Sequence, residues 1–439
     1  MAQRKKKPSG HQLESIVHAQ YKNEFMRKLK IISVSCCGKE FYGLLPPEEL
    51  NHIYATRCHP FKIIPADGHL VSDKVLCSIK KLLLPMIKTD KMTLSKYGIE
   101  MSLEDFFTIG LTLQNYLKMV KVKDFRHADR IKSISNDFGN DDELFHSGVI
   151  QLEGLLSTMG CWESIIGGYT YWLDFDLKLI ETRGTGIQNV LVVYSQKPES
   201  TRVRINGTFR PVVRLGCGFS ITGLEWMTLQ PSLLKIKTGA SHPLNIYFQS
   251  HALERMTERI DCIPIPLAHI NAIASFRNAK VFYDNNRNIL IEYRILECKV
   301  GYFRVDVVDG LAVVRTFLFL TQSGTPEGQL LWKNTGLQKL DTKYLVMDKL
   351  SSFMYSDVGD NNRIRKILQD SGCQGLLDLY AIINKSGARH PNHSISSMML
   401  DYLGISDHHF PEDLTDLTGS DNLSEPDKII ADDCMEQIN

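Results

Sequence analysis

Residues 250–261, SHALERMTERID, divide cleanly between the two faces of one short helix. Ser250 is expected to cap its N-terminus, because a serine hydroxyl accepts a hydrogen bond from the first turn. The apolar residues recur at i, i+3 and i+7 and form a core-facing stripe: Leu253, Met256 and Ile260. The other face holds an imidazole, two guanidiniums and a carboxylate: His251, Arg255, Arg259 and Glu258. The stretch therefore predicts an amphipathic helix with an unusual polar face.

The charges on this helix are not arranged for helix stability. Arg255 and Arg259 are like charges at i, i+4, and so are Glu254 and Glu258; each such pair costs about 0.2–0.5 kcal/mol. Only Arg255 and Glu258, at i, i+3, form a favourable pair. This pattern favours a functional face, and the alternative is a solvated or interdomain salt-bridge face.

Composition limits the possible classes of protein. The chain has 439 residues, 43% of them hydrophobic, and a formal net charge of +1, so overall charge gives no case for a nucleic-acid partner. The ends differ in sign: residues 1–40 carry nine Lys/Arg and three Asp/Glu (9 − 3 = +6), and residues 401–439 carry one Lys and eleven Asp/Glu (1 − 11 = −10). Residues 411–439 are predicted to be a disordered acidic tail. Such a tail either solubilises the chain or masks a basic surface on this chain or on a partner.

Cysteine usage and hydropathy indicate the compartment. The ten cysteines have no framework spacing, no signal peptide is recognisable, and no apolar run is long enough to span a membrane. We therefore expect a cytoplasmic protein with reduced cysteines and no membrane partner. No His, Cys, Asp or Glu cluster has metal-ligand spacing, so no metal or cofactor is predicted.

Periodicity predicts a multidomain α+β protein. We expect residues 1–160 to be mainly helical, 161–240 to form a small antiparallel β region, 241–340 to form a two-helix plus antiparallel-sheet domain, and 341–410 to be helical. Turns are predicted at Asn206-Gly207 and Asp309-Gly310, since these pairs favour two-residue hairpins.

The hairpin around Asp309-Gly310 gives a register. A two-residue turn pairs Asp306 with Val313 and Arg304 with Arg315. Two arginines directly opposite each other are unfavourable unless an anion lies between them, and Asp306, Glu292 and a phosphate are the candidates. The residues alternating with them are expected in the core: Phe303, Val305, Val314, Thr316 and Leu318.

The pattern H-A-x-x-R-M-x-E-R at 251–259, followed by a second helix and an antiparallel sheet, resembles the RelE-like families of the Barnase–EndoU–colicin–RelE superfamily. The resemblance covers residues 244–340 and implies metal-independent cleavage of RNA through the ribose 2′-OH. It implies that His251 and Glu258 transfer protons. The implied phosphate-binding residues, including those of the hairpin, are Arg255, Arg259, Arg294, Arg304 and Arg315.

A non-catalytic reading of the same segment stays open. The segment lies inside a long chain and its charges nearly cancel. The alternative to a toxin-like or defence-type ribonuclease is therefore a protein- or RNA-binding module that uses the same fold and charged face, since fold does not imply function. The sequence leaves the oligomeric state undetermined.

Overall fold

A computed structural model describes residues 10–120, 125–180, 186–234, 242–337 and 339–385, with 396, 400 and 402. The acidic segment 411–439 lies outside these described residues. The chain divides into two units, one of residues 1–159, 172–194 and 219–223, the other of 160–171, 195–218 and 224–439. Both mix helices and strands, which confirms the α and β class in its broad sense. No helix in the described part of the chain is long and apolar enough to cross a membrane.

The first unit is mainly helical. Its helices are α1 (Gly10–Cys37), α2 (Phe41–Leu44), α3 (Pro47–Ala55), α4 (Asp73–Thr89), α5 (Leu103–Asp105), α6 (Leu111–Val120), α7 (Ala128–Gly139) and most of α8 (Asp142–Glu163). A π-helical segment, Phe106–Gly110, links α5 to α6. The Ser102 hydroxyl caps α5 by accepting from the Asp105 N–H.

The first unit also contains strands within residues 1–160 that the sequence does not predict. Strand β1 (Cys58–Pro65) pairs in parallel with β5 (Gly186–Gln196), which also pairs with β4 (Thr170–Ile180), and β2 (Lys91–Leu94) forms a hairpin with β3 (Ile99–Ser102). The strands within 161–240 therefore do not form one antiparallel region, because β4 and β5 join β1 and later strands join the second unit.

The second unit is built on a larger mixed sheet. The remaining strands are β6 (Ser200–Ile205), β7 (Thr208–Arg214), β8 (Gly216–Phe219), β9 (Gly223–Trp226), β10 (Thr228–Leu229), β11 (Leu244–Gln249), β12 (Val281–Tyr283), β13 (Ile289–Ile295), β14 (Cys298–Val308) and β15 (Leu311–Phe319). The sheet order is β12-β13-β14-β15-β11-β7-β6, with β10 beside β11, and β11 runs parallel to β15. Thus β6 and β7 extend the sheet predicted for residues 241–340.

The helices of the second unit follow the predicted order. They are α9 (Ser250–Arg259), α10 (Ile265–Arg277), α11 (Pro326–Thr335), α12 (Lys339–Tyr344), α13 (Ser351–Met354), α14 (Asn362–Asp370) and α15 (Gln374–Lys385). Strand β11 leads into α9 and α10, and the antiparallel strands β12 to β15 come next. Thr325 caps the start of α11, and Gly336 ends this helix in the left-handed conformation.

Two predicted hairpin turns are confirmed. Asn206 and Gly207 have φ of +49° and +81°, and Asp309 and Gly310 have φ of +51° and +75°. Positive φ at both central residues is the requirement of the type I′ turn, whose twist matches that of the flanking strands. These turns fix the β6–β7 and β14–β15 hairpins that carry the candidate site.

One face of the sheet packs on α10 through an aromatic core. Phe276 of α10 stacks on Phe303 at 5.3 Å between ring centroids, and the two rings are within 12° of parallel. Phe248, Tyr293 and Phe317 meet Phe303 at 5.3–5.7 Å in edge contacts. All five side chains are at most 2% exposed, so this cluster anchors the strands behind the site.

The opposite face is strongly curved. Strand β6 contacts β14, although β7, β11 and β15 separate them in the sheet order. A small apolar cluster lies within the curve: Val203, Ile205, Val212, Tyr247 and Val313. The curvature leaves a cleft beside this cluster.

The β14–β15 hairpin contains a β-bulge that the sequence reading did not predict. Asp306 pairs with Val313 as expected, but Arg304 pairs with Thr316, because the register shifts between Arg304 and Val305. The predicted direct pairing of Arg304 with Arg315 is therefore wrong. Arg315 is the extra residue of the bulge.

The bulge also corrects the predicted core beyond it. The sequence predicts that Thr316 and Leu318 are buried, but both are half-buried, whereas Phe317 and Phe319 are fully buried. One extra residue in a strand exchanges the two faces for every residue that follows, which is the physical reason for the error.

Candidate functional site

A cleft of about 740 Å³ opens on the curved face of the sheet. It is lined by side chains from the β6–β7 hairpin, the start of α9 and the β14–β15 hairpin. The lining residues are Ile205, Asn206, Thr208, Arg210, Pro211, Gln249, Ser250, His251, Arg304, Arg315 and Thr316. Three of the sequence-predicted site residues, His251, Arg304 and Arg315, therefore meet in one place.

The junction of β11 and α9 brings His251 to the cleft. Gln249 is the extended N-cap residue of α9 and makes no side-chain cap bond, so the predicted capping role of Ser250 is wrong. His251 lies in the first turn, and its side chain is 56% exposed, so solvent and a ligand can reach the ring. Its Nδ1 is 3.8 Å from a Glu254 carboxylate oxygen.

Arg304 and Arg315 reach the cleft from neighbouring strands. The Arg304 Nη2 donates to the Asn288 side-chain oxygen at 2.7 Å, and the Arg315 Nη1 donates to the Asp306 carboxylate. Each guanidinium has five N–H donors, and the hydrogen bonds to Asn288 and Asp306 use one of them in each arginine. The two side chains are thus held in place with donor capacity to spare.

The β6–β7 hairpin adds a third arginine and an electropositive setting. Arg210 is exposed and lines the cleft. Residues 195–215 contain five Lys/Arg and one Asp/Glu, Glu199, which is bound to Arg214 at 3.0 Å. Arg202, Arg204 and Arg210 have no ion-pair partner among the described residues. The hairpin is therefore positively charged beside the cleft.

The lining favours an anion. It contains three guanidiniums, and no carboxylate is present among the described residues that line it. Asp306 pairs with Arg315 and offsets part of this charge. Arginine binds two oxygens of a phosphate at once through its planar fork, and a cleft of one sign concentrates an oppositely charged ligand. The arrangement can bind a phosphate next to an accessible imidazole.

Two other predicted residues lie outside the cleft and pair with each other. The Arg255 Nη1 donates to a Glu258 carboxylate oxygen at 2.5 Å, and both side chains are partly exposed. Glu258 is seven residues beyond His251, a rise of about 10 Å along a helix. The structure therefore does not bring Glu258 to His251, and the carboxylate nearest this imidazole on α9 is Glu254.

Arg259 and Arg294 have internal partners. The Arg259 guanidinium donates to the Phe317 carbonyl, and burial, with Arg255 nearby, lowers its pKa. Arg294 donates through Nε to Glu292 at 2.9 Å, and these side chains are only 10% and 8% exposed. Neither arginine lines the cleft. Both are placed to hold the fold together.

Sequence reasoning missed several lining residues, of which Arg210 is the most important. Its signal was present, because Asn206-Gly207 marked the hairpin and basic residues surround that turn. The missing information was that β7 pairs with β11, which brings the hairpin beside α9. Thr316 was missed because the bulge turned it toward the cleft.

No group of three or more His, Cys, Asp or Glu side chains could hold a metal ion in the described part of the chain. Comparison of the chain with protein-family models, with curated proteins and with solved structures finds no match.

Proposed function

We propose that this cleft binds the phosphates of single-stranded RNA and that His251 transfers a proton in cleavage of the RNA backbone without a metal ion. The observation that carries the proposal is the convergence of His251 with Arg304 and Arg315 in one open cleft whose described lining has no carboxylate. The resemblance of residues 251–259 to the RelE-like helix motif supports the same chemistry.

The chemistry assigns a role to each group. The ribose 2′-oxygen attacks phosphorus, the bond from phosphorus to the 5′-oxygen breaks, and a 2′,3′-cyclic phosphate and a 5′-hydroxyl form. Neutral His251 accepts the proton of the 2′-OH, and water in the open cleft protonates the departing 5′-oxygen. Arg304 and Arg315 stabilise the added negative charge on the non-bridging oxygens.

The β6–β7 hairpin favours a single strand over a duplex. Phe209 lies directly opposite Arg204 beside the turn and is 65% exposed. An exposed ring next to guanidiniums can stack on an unpaired base while the cations neutralise phosphates, whereas the bases of a duplex are not available for stacking. We place this activity in the cytoplasm, because eight cysteines of the described residues carry free thiols, although Cys77 is disulfide-bonded.

A second candidate is a non-catalytic module that binds RNA or an acidic protein segment in the same cleft. Arg255 holds Glu258 away from His251. Among the described lining residues, His251 is therefore the one side chain of the imidazole or carboxylate type that could transfer a proton, and this supports the second candidate. Binding needs the arginines alone, and the acidic residues of 411–439 are one possible competitor for them.

The test compares variants of the full chain on a fluorescent single-stranded RNA in EDTA. We expect cleavage by the unmodified chain, loss of cleavage with retained binding in His251→Ala, and loss of both in an Arg304→Ala/Arg315→Ala variant. Arg255→Ala is the matched control outside the cleft. RNA binding without cleavage by the unmodified chain would favour the second candidate, and absence of binding would contradict both RNA readings.

A further inference from the structure

Two cysteines of the second unit form a close pair away from the arginine cleft. The sulfur atoms of Cys161 and Cys217 are 2.8 Å apart, although the residues are 56 positions apart in sequence. A disulfide bond is about 2.05 Å long, so little movement separates the two thiols from a covalent bond. The described residues place no third metal-ligating side chain beside the pair.

The two thiols differ in access and acidity. Cys161 lies in the last turn of α8 and is half-buried, whereas Cys217 of β8 is 1% exposed. A hydrogen bond from Cys217 lowers the pKa of Cys161, and the charge of Arg277 lowers it further. The same hydrogen bond and burial raise the pKa of Cys217. Cys161 is therefore the thiol that ionises first and that a reagent from solvent reaches first.

The backbone around the pair is tied to one buried histidine. The His269 Nδ1 is 2.8 Å from the Ser164 carbonyl oxygen, and its Nε2 is 3.1 Å from the Gly216 carbonyl oxygen. The Ser164 hydroxyl donates to the Gly160 carbonyl at 2.7 Å and accepts from the Tyr171 N–H at 2.8 Å. Neutral His269 donates to one of these two carbonyl oxygens and contacts the other. Both segments that carry the cysteines therefore pack against the same buried ring, and the sulfurs are held next to each other.

We propose that Cys161 and Cys217 form a reversible oxidation site that closes to a disulfide with hydrogen peroxide as the oxidant. The Cys161 thiolate attacks one peroxide oxygen, the O–O bond breaks, and a sulfenic acid and hydroxide form. The Cys217 sulfur then attacks the Cys161 sulfur, the S–S bond forms, the S–O bond breaks, and water leaves after taking up the Cys217 proton. Two thiols and one peroxide give one disulfide and two waters, with two electrons passing from sulfur to oxygen.

The test uses the reduced full chain and a titration with hydrogen peroxide. Remaining thiols are alkylated and the chain is digested without reductant. The masses of the peptides are then measured by mass spectrometry. We expect a linked peptide pair containing residues 161 and 217, two mass units lighter than the sum of the separate peptides, and its loss on treatment with dithiothreitol. We also expect the melting temperature to rise on oxidation, because the disulfide lowers the conformational entropy of the unfolded chain.

Cys161→Ser and Cys217→Ser should each abolish the linked peptides. Cys262→Ser is the matched control, because Cys262 is a half-buried thiol of the same unit whose burial raises its pKa to about 12. If Cys217→Ser fails to fold in reductant, the Cys161→Ser result and the mass of the linked peptides still show whether the disulfide forms. A Cys161 that is oxidised to sulfinic acid without any link to Cys217, or that stays reduced while Cys262 reacts, would overturn the proposal.

Discussion

Arg304 lies opposite Thr316 across the β14–β15 hairpin, and Arg315 is the bulged residue next to that pair. A bulge turns an extra side chain toward one face of a sheet. Here it sets the consecutive residues Arg315 and Thr316 on the cleft together with Arg304. The electropositive cleft therefore depends on a local irregularity of one strand.

Arg304→Ala and Arg315→Ala should each weaken binding of single-stranded RNA. A hydrogen bond to a charged group contributes about 1.5–3 kcal/mol, which corresponds to a loss of roughly ten- to a hundredfold in affinity. Each variant should also reduce the slope of log affinity against log salt by about one, because one phosphate contact is lost. Fluorescence anisotropy at several salt concentrations measures both quantities. An equal loss in Arg255→Ala, outside the cleft, would contradict the assignment.

Two glycines of the β14–β15 hairpin should respond differently to alanine. A Cβ on Gly301 would lie 2.4 Å from the Leu318 carbonyl oxygen and 2.8 Å from the Phe317 ring. A Cβ on Gly310 would meet nothing within 4 Å, and its cost comes only from its φ of +75°.

We expect Gly310→Ala to destabilise the protein by about 1–2 kcal/mol and Gly301→Ala by more, because a backbone clash cannot relax by side-chain rotation. Denaturant unfolding measures the difference. The opposite order would show that the strands around Gly301 are not packed as described.

The buried ion pair of Glu292 and Arg294 should be costly to break. Glu292→Ala leaves the Arg294 guanidinium, which is 10% exposed, without its carboxylate, and a loss of about 3–5 kcal/mol is expected. Replacing both partners, in Glu292→Leu/Arg294→Met, should be much less destabilising because no unpaired charge remains. A double variant that is less stable than Glu292→Ala would contradict this explanation.

The buried His269 should make the second unit sensitive to acid. Burial lowers its pKa in the folded state, whereas the unfolded chain titrates near pH 6.5, so below that pH the unfolded state binds more protons. The stability that neutral His269 contributes is present above about pH 6.5 and is lost as the pH falls through the folded-state pKa.

We therefore expect His269→Gln to lower the melting temperature at pH 7.5 but to flatten its fall between pH 7 and pH 5. Melting curves over this range measure both effects. A parallel fall in the variant and the unmodified chain would show that His269 is not the group responsible.

The sequence predicts those features of the fold that depend on residues close together in the chain. Asn206-Gly207 and Asp309-Gly310 marked two turns because few residue pairs tolerate positive φ at both positions. The order of strand, two helices and antiparallel strands followed from periodicity alone. The placement of His251 on an exposed helix face was also predictable, because the apolar stripe of α9 occupies the other side.

The features of the fold and the site that the sequence does not predict depend on pairing between distant segments. The sequence around Arg315 does not indicate a bulge, since neither glycine nor proline occurs there. The parallel pairing of β1 with β5 joins residues more than a hundred positions apart. Arg255 and Glu258 share a helix face with His251, but the cleft reaches only the first turn of that helix.

The most direct test of the central claim compares His251→Ala with Glu258→Ala in single-turnover cleavage of single-stranded RNA in EDTA, with RNA affinity measured for both. We predict that His251→Ala slows cleavage by about 10²–10⁴-fold at nearly unchanged affinity, since loss of a general base has this effect, and that Glu258→Ala cleaves like the unmodified chain. Products should end in a 2′,3′-cyclic phosphate. Unchanged cleavage by His251→Ala, or an equal loss in Glu258→Ala, would contradict the role given to this cleft.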